Sequence, residues 1–347
     1  LPDPRDQSPE KFMGYARSFG TDAATVRRLY SAVLGHSEHE PAVWGRSYGV
    51  PKRLGQAIGP LPRLALDAVQ TSPRDGFQKL RFLTGDGLAV ETVLIPLHKP
   101  GAVSVCLSCQ VGCPMACAFC ATARMPARRN LAAWEIIDQW VQARDLARSQ
   151  GRRVTGAVFM GMGEPFLESV KPRVLTAACL LSRPYGGQIA AKAITISTVG
   201  MVPQIDEYTA EGHKYRLSIS LGAATDEKRA RLVPVASRWP VLEVMAAARR
   251  YAIARRDRVM VAYVCISGQN VGEEDARALG EIIGDTPVRL DLIDVTDAAG
   301  RFQPPSPAEL RVFRDALSRY IGQPVVRRYS GGADIQAACG TLAGGVS

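Results

Sequence analysis

From about residue 100 onward the chain alternates short apolar, β-branched runs with longer amphipathic ones, and this alternation restricts its fold more than any other feature. The strand-like runs are VSVCLS, VTGAVFM, AITIST, RLSISL, RVMVAYVCI and VRLDLI, with a final short PVVRR. Between or after them lie AAWEIIDQWVQARDLA, VLEVMAAARRYA, EEDARALGEII and PAELRVFRDALSRYI, whose apolar residues recur at helical spacing. Strands joined through helices pair in parallel with right-handed crossovers. Six main strands are too few to close an eight-stranded barrel, so the expected fold is α/β, a partial six-stranded (β/α) barrel.

Upstream the texture differs. Runs such as AATVRRLYSAVL, broken near GRSYGVPKRLG, predict a small helical domain over residues 1–72. FQKLRFLT and GLAVETVLIPL, separated by Thr84-Gly85-Asp86-Gly87, predict a β-hairpin extension over 73–98, and the core then occupies 99–347 with a cysteine-bearing C-terminal segment. Hydrophobic residues at 46% and charged residues at 22% support a packed interior and argue against a disordered chain. No apolar run approaches a membrane span and LPDPRDQSPEKF lacks a signal-peptide core, so the expected location is the cytoplasm, without membrane contact. The formal charge of +10, with arginines clustered at Arg128/Arg129, Arg152/Arg153 and Arg255/Arg256/Arg258 among others, fits either a polyanionic partner or solvated helix faces.

Eight cysteines without export signals read as reduced thiols, metal ligands or redox groups. Five crowd together, and CPMACAFC sets Cys113, Cys117 and Cys120 at CxxxCxxC spacing directly after the first core strand. Three thiolates can hold three irons of a four-iron cluster and leave the fourth iron open to a small molecule. The alternative is a zinc site that adds Cys106 or Cys109, although zinc sites usually draw on a second distant pair.

The CxxxCxxC spacing, with Phe119 before the last cysteine, resembles the signature of the radical S-adenosylmethionine superfamily. That resemblance implies a [4Fe-4S] cluster on Cys113, Cys117 and Cys120 with S-adenosylmethionine chelated at the open iron. Gly161-Met162-Gly163-Glu164-Pro165 resembles the superfamily's GGEP-type motif, which implies contacts to the methionyl amino group from Gly163, Glu164 and Pro165. Ser197 and Ser220 end later strands at the mouth where barrel ligands sit and are expected to bond the ribose or carboxylate.

VETVLIP, SCQVGC, CAFCAT, RRNL, GMGEP, ITISTVG, SISL and DIQAACGTL together carry a closer resemblance, covering almost the whole chain, to the RlmN/Cfr family of RNA adenosine methyltransferases. The resemblance implies a C-methyltransferase acting on an sp2 ring carbon of adenosine in rRNA or tRNA, carbon 2 in preference to carbon 8. Cys339 would carry a transferable methyl group, Cys106 would resolve the product by forming a disulfide with Cys339, and Glu91 matches an acid that handles protons. A reductase or flavodoxin-type electron donor and a monomeric state belong to the same expectation.

The chain departs from the family where SLHAPN becomes Ser220-Leu221-Gly222-Ala223-Ala224-Thr225 and NLIPFNP becomes Asp291-Leu292-Ile293-Asp294-Val295-Thr296-Asp297. Thr296 thus stands at a cofactor-binding asparagine position, and new carboxylates near the mouth would oppose a phosphate backbone. Two other readings therefore stand beside the first. One is the same two-cysteine chemistry on a small aromatic molecule or peptide, and the other is a noncatalytic RNA-binding or zinc-stabilised protein.

Overall fold

The structure, a computed structural model, describes residues 1–297 and 299–343. Twelve strands follow in chain order: β1 (Ala65–Thr71), β2 (Gln78–Leu83), β3 (Ala89–Pro96), β4 (Ala102–Cys106), β5 (Gln110–Val111), β6 (Arg129–Asn130), β7 (Arg153–Phe159), β8 (Ile194–Thr198), β9 (Arg216–Ser220), β10 (Val259–Cys265), β11 (Val288–Asp294) and β12 (Val325–Arg328). Ten of them make one sheet in the order β1-β2-β3-β4-β7-β8-β9-β10-β11-β12, and β5 pairs only with β6. From β4 to β12 every neighbouring pair is parallel, as the alternation of strands and helices required. β4 is buried along its whole length and β10 nearly so, because helices cover one face and the cavity side the other.

The hairpin forms as expected, with β2 and β3 antiparallel from Gln78↔Leu94 to Leu83↔Ala89. Its turn closes through the Gly87 N–H to the Thr84 carbonyl at 2.8 Å, with Gly87 at φ 76°. β3 also pairs antiparallel with β4, so hairpin and barrel share one continuous sheet. Residues 65–71, expected within the helical module, instead form β1 on the edge of β2. Every β1 residue is exposed, so no apolar face marks the strand in the sequence; backbone pairing with β2 holds it, together with Gln78 donating to the Thr71 hydroxyl at 3.0 Å and Arg81 pairing with Asp67.

The N-terminal helices start where the sequence supplies caps: Ser8 accepts from the Lys11 N–H at 3.2 Å and Asp22 from the Thr25 N–H at 2.7 Å. The module is tied to the barrel helix Ala133–Ser149 by Asp6 accepting from the Trp134 N–H at 2.9 Å, and by Arg144 reaching the Leu34 carbonyl. His39 lies half-buried beside Arg63 and Arg5, and burial first, then those cations, pulls its pKa down to about 4. The folded module thus favours the neutral ring. The unfolded chain takes up the proton below about 6.5, so stability is full above that pH and falls as pH drops toward 4. His39→Leu should flatten the dependence of the urea midpoint on pH in that window; an unchanged slope would remove His39 as its source.

Candidate active site

The C-terminal ends of the parallel strands converge on an open cavity of about 950 Å3. Cys113, Cys117 and Cys120 line one wall, on the loop between β5 and β6. This loop is held by its backbone: the Ala118 N–H donates to the Leu232 carbonyl at 2.9 Å, and the Ala121 N–H to the Gly340 carbonyl at 2.7 Å. Thr122 adds a 2.6 Å hydrogen bond from its hydroxyl to the Leu342 carbonyl. Burial pushes the Cys113 thiol up to about 12 and the Cys117 thiol above its usual range. Burial thus opposes ionisation of these sulfurs, and a bound metal cation would offset that opposition.

The opposite walls carry the other predicted residues. Gly163, Glu164 and Pro165 follow β7, Ser197 lies in β8, Ser220 ends β9, and Thr296 follows β11; all line the same cavity. The glycines there have a structural reason that the sequence did not show. A Cβ on Gly161 would lie 2.6 Å from the Ser108 hydroxyl, and one on Gly163, at φ 109°, would lie 2.8 Å from the Cys109 sulfur. The turn is pressed onto residues 107–110, and only glycine fits.

Glu164 is buried, and burial raises its pKa to about 7 against the hydrogen bonds that lower it. Its two oxygens accept from the Phe166 N–H at 2.8 Å and the Val199 N–H at 2.9 Å, and its own N–H donates to Gln110 at 2.8 Å. The side chain thus clamps the end of β7 to the end of β8.

Cys339 is exposed and lines this cavity, and it also lines a second one of about 450 Å3 whose walls include Cys106. Two thiols remote in sequence are thereby brought to one pocket. Cys106 is buried, and burial with the nearby Cys339 thiol pushes it up to about 12 while Arg328 opposes the shift. The structure does not bring Glu91 to either of these cavities. It sits in β3 on a separate polar cavity, 3.2 Å from the Lys79 ammonium, and accepts from the Ala343 N–H at 2.9 Å. There it ties down the C-terminal segment that carries Cys339.

Residues 107–279 match the model of the Radical SAM superfamily. A Myxococcus xanthus protein named "Probable RNA methyltransferase" is 45% identical over 323 residues, spanning 92% of this chain and 88% of that protein. A Heliobacterium modesticaldum protein named "Probable dual-specificity RNA methyltransferase RlmN" is 40% identical over 298 residues, 84% of this chain and 76% of its own. The solved structure of a radical SAM methyltransferase from Sphaerobacter thermophilus superposes with a TM-score of 0.89 at 33% identity, covering 99% of this chain and 100% of that one. The chain belongs to the RlmN/Cfr family of radical SAM methyltransferases.

The family's cofactors are a [4Fe-4S] cluster and S-adenosylmethionine, and the donor set fits them. Three separate thiols face one open cavity, and among the described residues no three Cys, His, Asp or Glu side chains converge tightly enough for a single metal ion. Thiols spread in this way suit a cluster in which each sulfur takes its own iron.

The RlmN/Cfr departures also acquire a physical reading. Asp294 pairs with Arg327 at 2.5 Å, and Asp297 with Arg124 at 3.3 Å and Arg301 at 3.4 Å. The added carboxylates are therefore matched by arginines and do not turn the mouth acidic. Gly222 adopts φ 78°, and a Cβ there would lie 2.8 Å from Val233, so this backbone accepts glycine in place of a larger residue.

Sequence reasoning missed Arg229. It is 1% exposed and spans the barrel mouth, donating to the carbonyls of Leu221 at 3.0 Å, Trp239 at 2.9 Å and Val199 at 2.6 Å. The available signal was a basic residue between apolar neighbours in the short helix Asp226–Leu232, which reads equally well as a solvated face.

Proposed function

We propose that this family member methylates carbon 2 of an adenosine in rRNA or tRNA, in preference to carbon 8, using Cys339 as the methyl carrier and Cys106 to release the product. The observation that carries the reading is the position of Cys339, on the rim shared by the cluster-loop cavity and the Cys106 pocket. Adenine ring carbons are too weakly nucleophilic for direct displacement on a sulfonium. When bound, the cluster and S-adenosylmethionine supply a 5′-deoxyadenosyl radical after one-electron reduction by a flavodoxin-type donor.

The chain's own groups do the rest. The Cys339 sulfur loses its proton and takes a methyl group from a first S-adenosylmethionine, releasing S-adenosylhomocysteine. That methyl gives one hydrogen atom to the 5′-deoxyadenosyl radical and bonds to the adenine carbon, which then releases its own ring hydrogen as a proton and the unpaired electron, an electron the bound cluster would take back. Cys106 then loses its proton and attacks the Cys339 sulfur, so that an S–S bond replaces the S–C bond, the departing methylene carbon takes up one proton to become the methyl group, and the methylated base leaves. An external thiol reductant returns the disulfide to two thiols. Such an exchange needs Cα atoms about 4.4–6.8 Å apart at closest approach, which a shared pocket permits. Ser197, Ser220, Thr296 and the Gly163-Glu164-Pro165 turn hold S-adenosylmethionine, and Glu91 supports the cycle by anchoring the segment that bears Cys339. Among the described residues no helix is long and apolar enough to cross a membrane; in this proposal the protein acts as a monomer in the cytoplasm.

The test is anaerobic incubation of the cluster-loaded protein with unmodified total RNA, methyl-labelled S-adenosylmethionine and a reductant, followed by nucleoside mass analysis. A labelled methyladenosine with the methyl on carbon is expected. Label in a small aromatic or a peptide, with none in RNA, would favour the divergent-substrate reading and refute this one.

A further inference from the structure

The RRNL segment contributes two adjacent arginines that the proposed chemistry does not use, and the fold treats them differently. Arg129 is committed to partners within the chain: it reaches Asp86 at 2.7 and 2.9 Å and Glu135 at 2.8 Å through two nitrogens. Arg128 is exposed, and its guanidinium has no carboxylate partner among the described residues. Its backbone is nonetheless fixed, with the Arg128 N–H donating to the Val111 carbonyl at 2.9 Å. The preceding Pro126 carbonyl packs so tightly on Gly112 that a Cβ there would lie 2.3 Å away. A cation held on a rigid backbone and left without a counter-charge is prepared for an anion from outside.

Arg128 lines an open groove of about 1600 Å3, together with Arg81, Arg124 and the apolar Leu88, Val111 and Met125. The groove and the active cavity share a wall. Ala121 and Thr341 face the groove, while Cys120, Thr122 and Gly340 face the cavity. Arg124 is partly exposed and pairs at 3.3 Å with a buried Asp297 carboxylate that Arg301 also holds at 3.4 Å, so its guanidinium can turn toward a phosphate without leaving that carboxylate unpaired. A base whose ring carbon must reach a cavity has to leave its stack, so the nucleotides beside it are presented as single strand. Single strands are held by cations along the backbone and by apolar surface against the bases.

We propose that this groove binds the RNA segment flanking the target adenosine, with Arg128 and Arg124 on its phosphates and the Leu88–Met125 surface against its bases. The inference rests on the RNA reading above and adds to it a place and a set of contacts.

The experiment measures binding of a fluorescent single-stranded RNA by the full chain across a salt series. Arg128→Gln should raise Kd about three- to tenfold at low salt, and lower the slope of log affinity against log salt by about 0.7. Arg128→Lys, which keeps the charge, should recover most of the loss. Arg153→Gln removes an equally exposed cation at the far end of β7 and should leave Kd unchanged. Unaltered binding by Arg128→Gln, or an equal loss in Arg153→Gln, overturns the groove while leaving RNA as the substrate. Failure of the wild-type chain to bind RNA overturns both.

Discussion

Replacing Cys339 with alanine is expected to reduce methyl transfer from labelled S-adenosylmethionine to background, whereas Cys106→Ala should halt the cycle later, with the protein covalently attached to its substrate. The two outcomes follow from one arrangement. Cys339 borders both cavities and is exposed, so its sulfur can meet a methyl donor, a base and a second thiol. Cys106 is buried in the smaller cavity alone, where burial and the nearby Cys339 thiol push its pKa up to about 12.

Folding does not confound the first variant, because an exposed Cys→Ala change typically alters stability by no more than about 0.5 kcal/mol. Two measurements check the pair: label in RNA, and the mass of the intact protein after turnover. The wild type should carry a methyl group on the Cys339 peptide, and Cys339→Ala should carry none. Full transfer by Cys339→Ala would eliminate the thioether route, and free product from Cys106→Ala at the wild-type rate would eliminate disulfide release.

How far the sequence disclosed this molecule depended on whether the information was local. The parallel strands were legible because burial on both faces makes them continuous apolar runs, as in VMVAYVC of β10. β1 was illegible because ALDAVQT packs neither face and owes its conformation to its partner β2. The cluster loop was legible because thiol spacing is itself the chemistry. Cys106 and Cys339 were legible only through family resemblance, since nothing along the chain says that positions so remote share a pocket. Glu164 was legible as a cavity residue through its motif, but the grip of its two oxygens on two backbone N–H groups is a tertiary relation with no sequence signature. Asp294 and Asp297, which suggested an acidic mouth, were misleading for the same reason, because Arg327 and Arg124 approach them from other parts of the chain and Arg301 folds back within the loop.

Arg229→Leu should destabilise the fold by about 3–5 kcal/mol. A buried guanidinium here satisfies three carbonyls, those of Leu221, Trp239 and Val199, and removing it leaves each facing an apolar side chain. An unsatisfied buried polar group costs roughly 1–3 kcal/mol, and local relaxation and water entry recover part of the sum. Burial lowers the pKa of Arg229 to about 10, with Asp226 opposing, so the group remains a cation at neutral pH. Arg229→Lys should rescue little, because one ammonium cannot span the forked geometry that three carbonyls require.

The effect should reach the cofactor site as well as the melting curve. Arg229 holds the carbonyl of Val199 while Glu164 holds its N–H, so the end of β8 is gripped from both sides. The same short helix ends at Leu232, whose carbonyl anchors the Ala118 N–H in the cysteine loop. Urea unfolding should therefore show the lost stability, and the folded variant at low temperature should retain less iron per chain after anaerobic reconstitution than wild type. A variant within about 1 kcal/mol of wild type and with full iron content would show that those carbonyls find other donors and that Arg229 is dispensable to the barrel mouth.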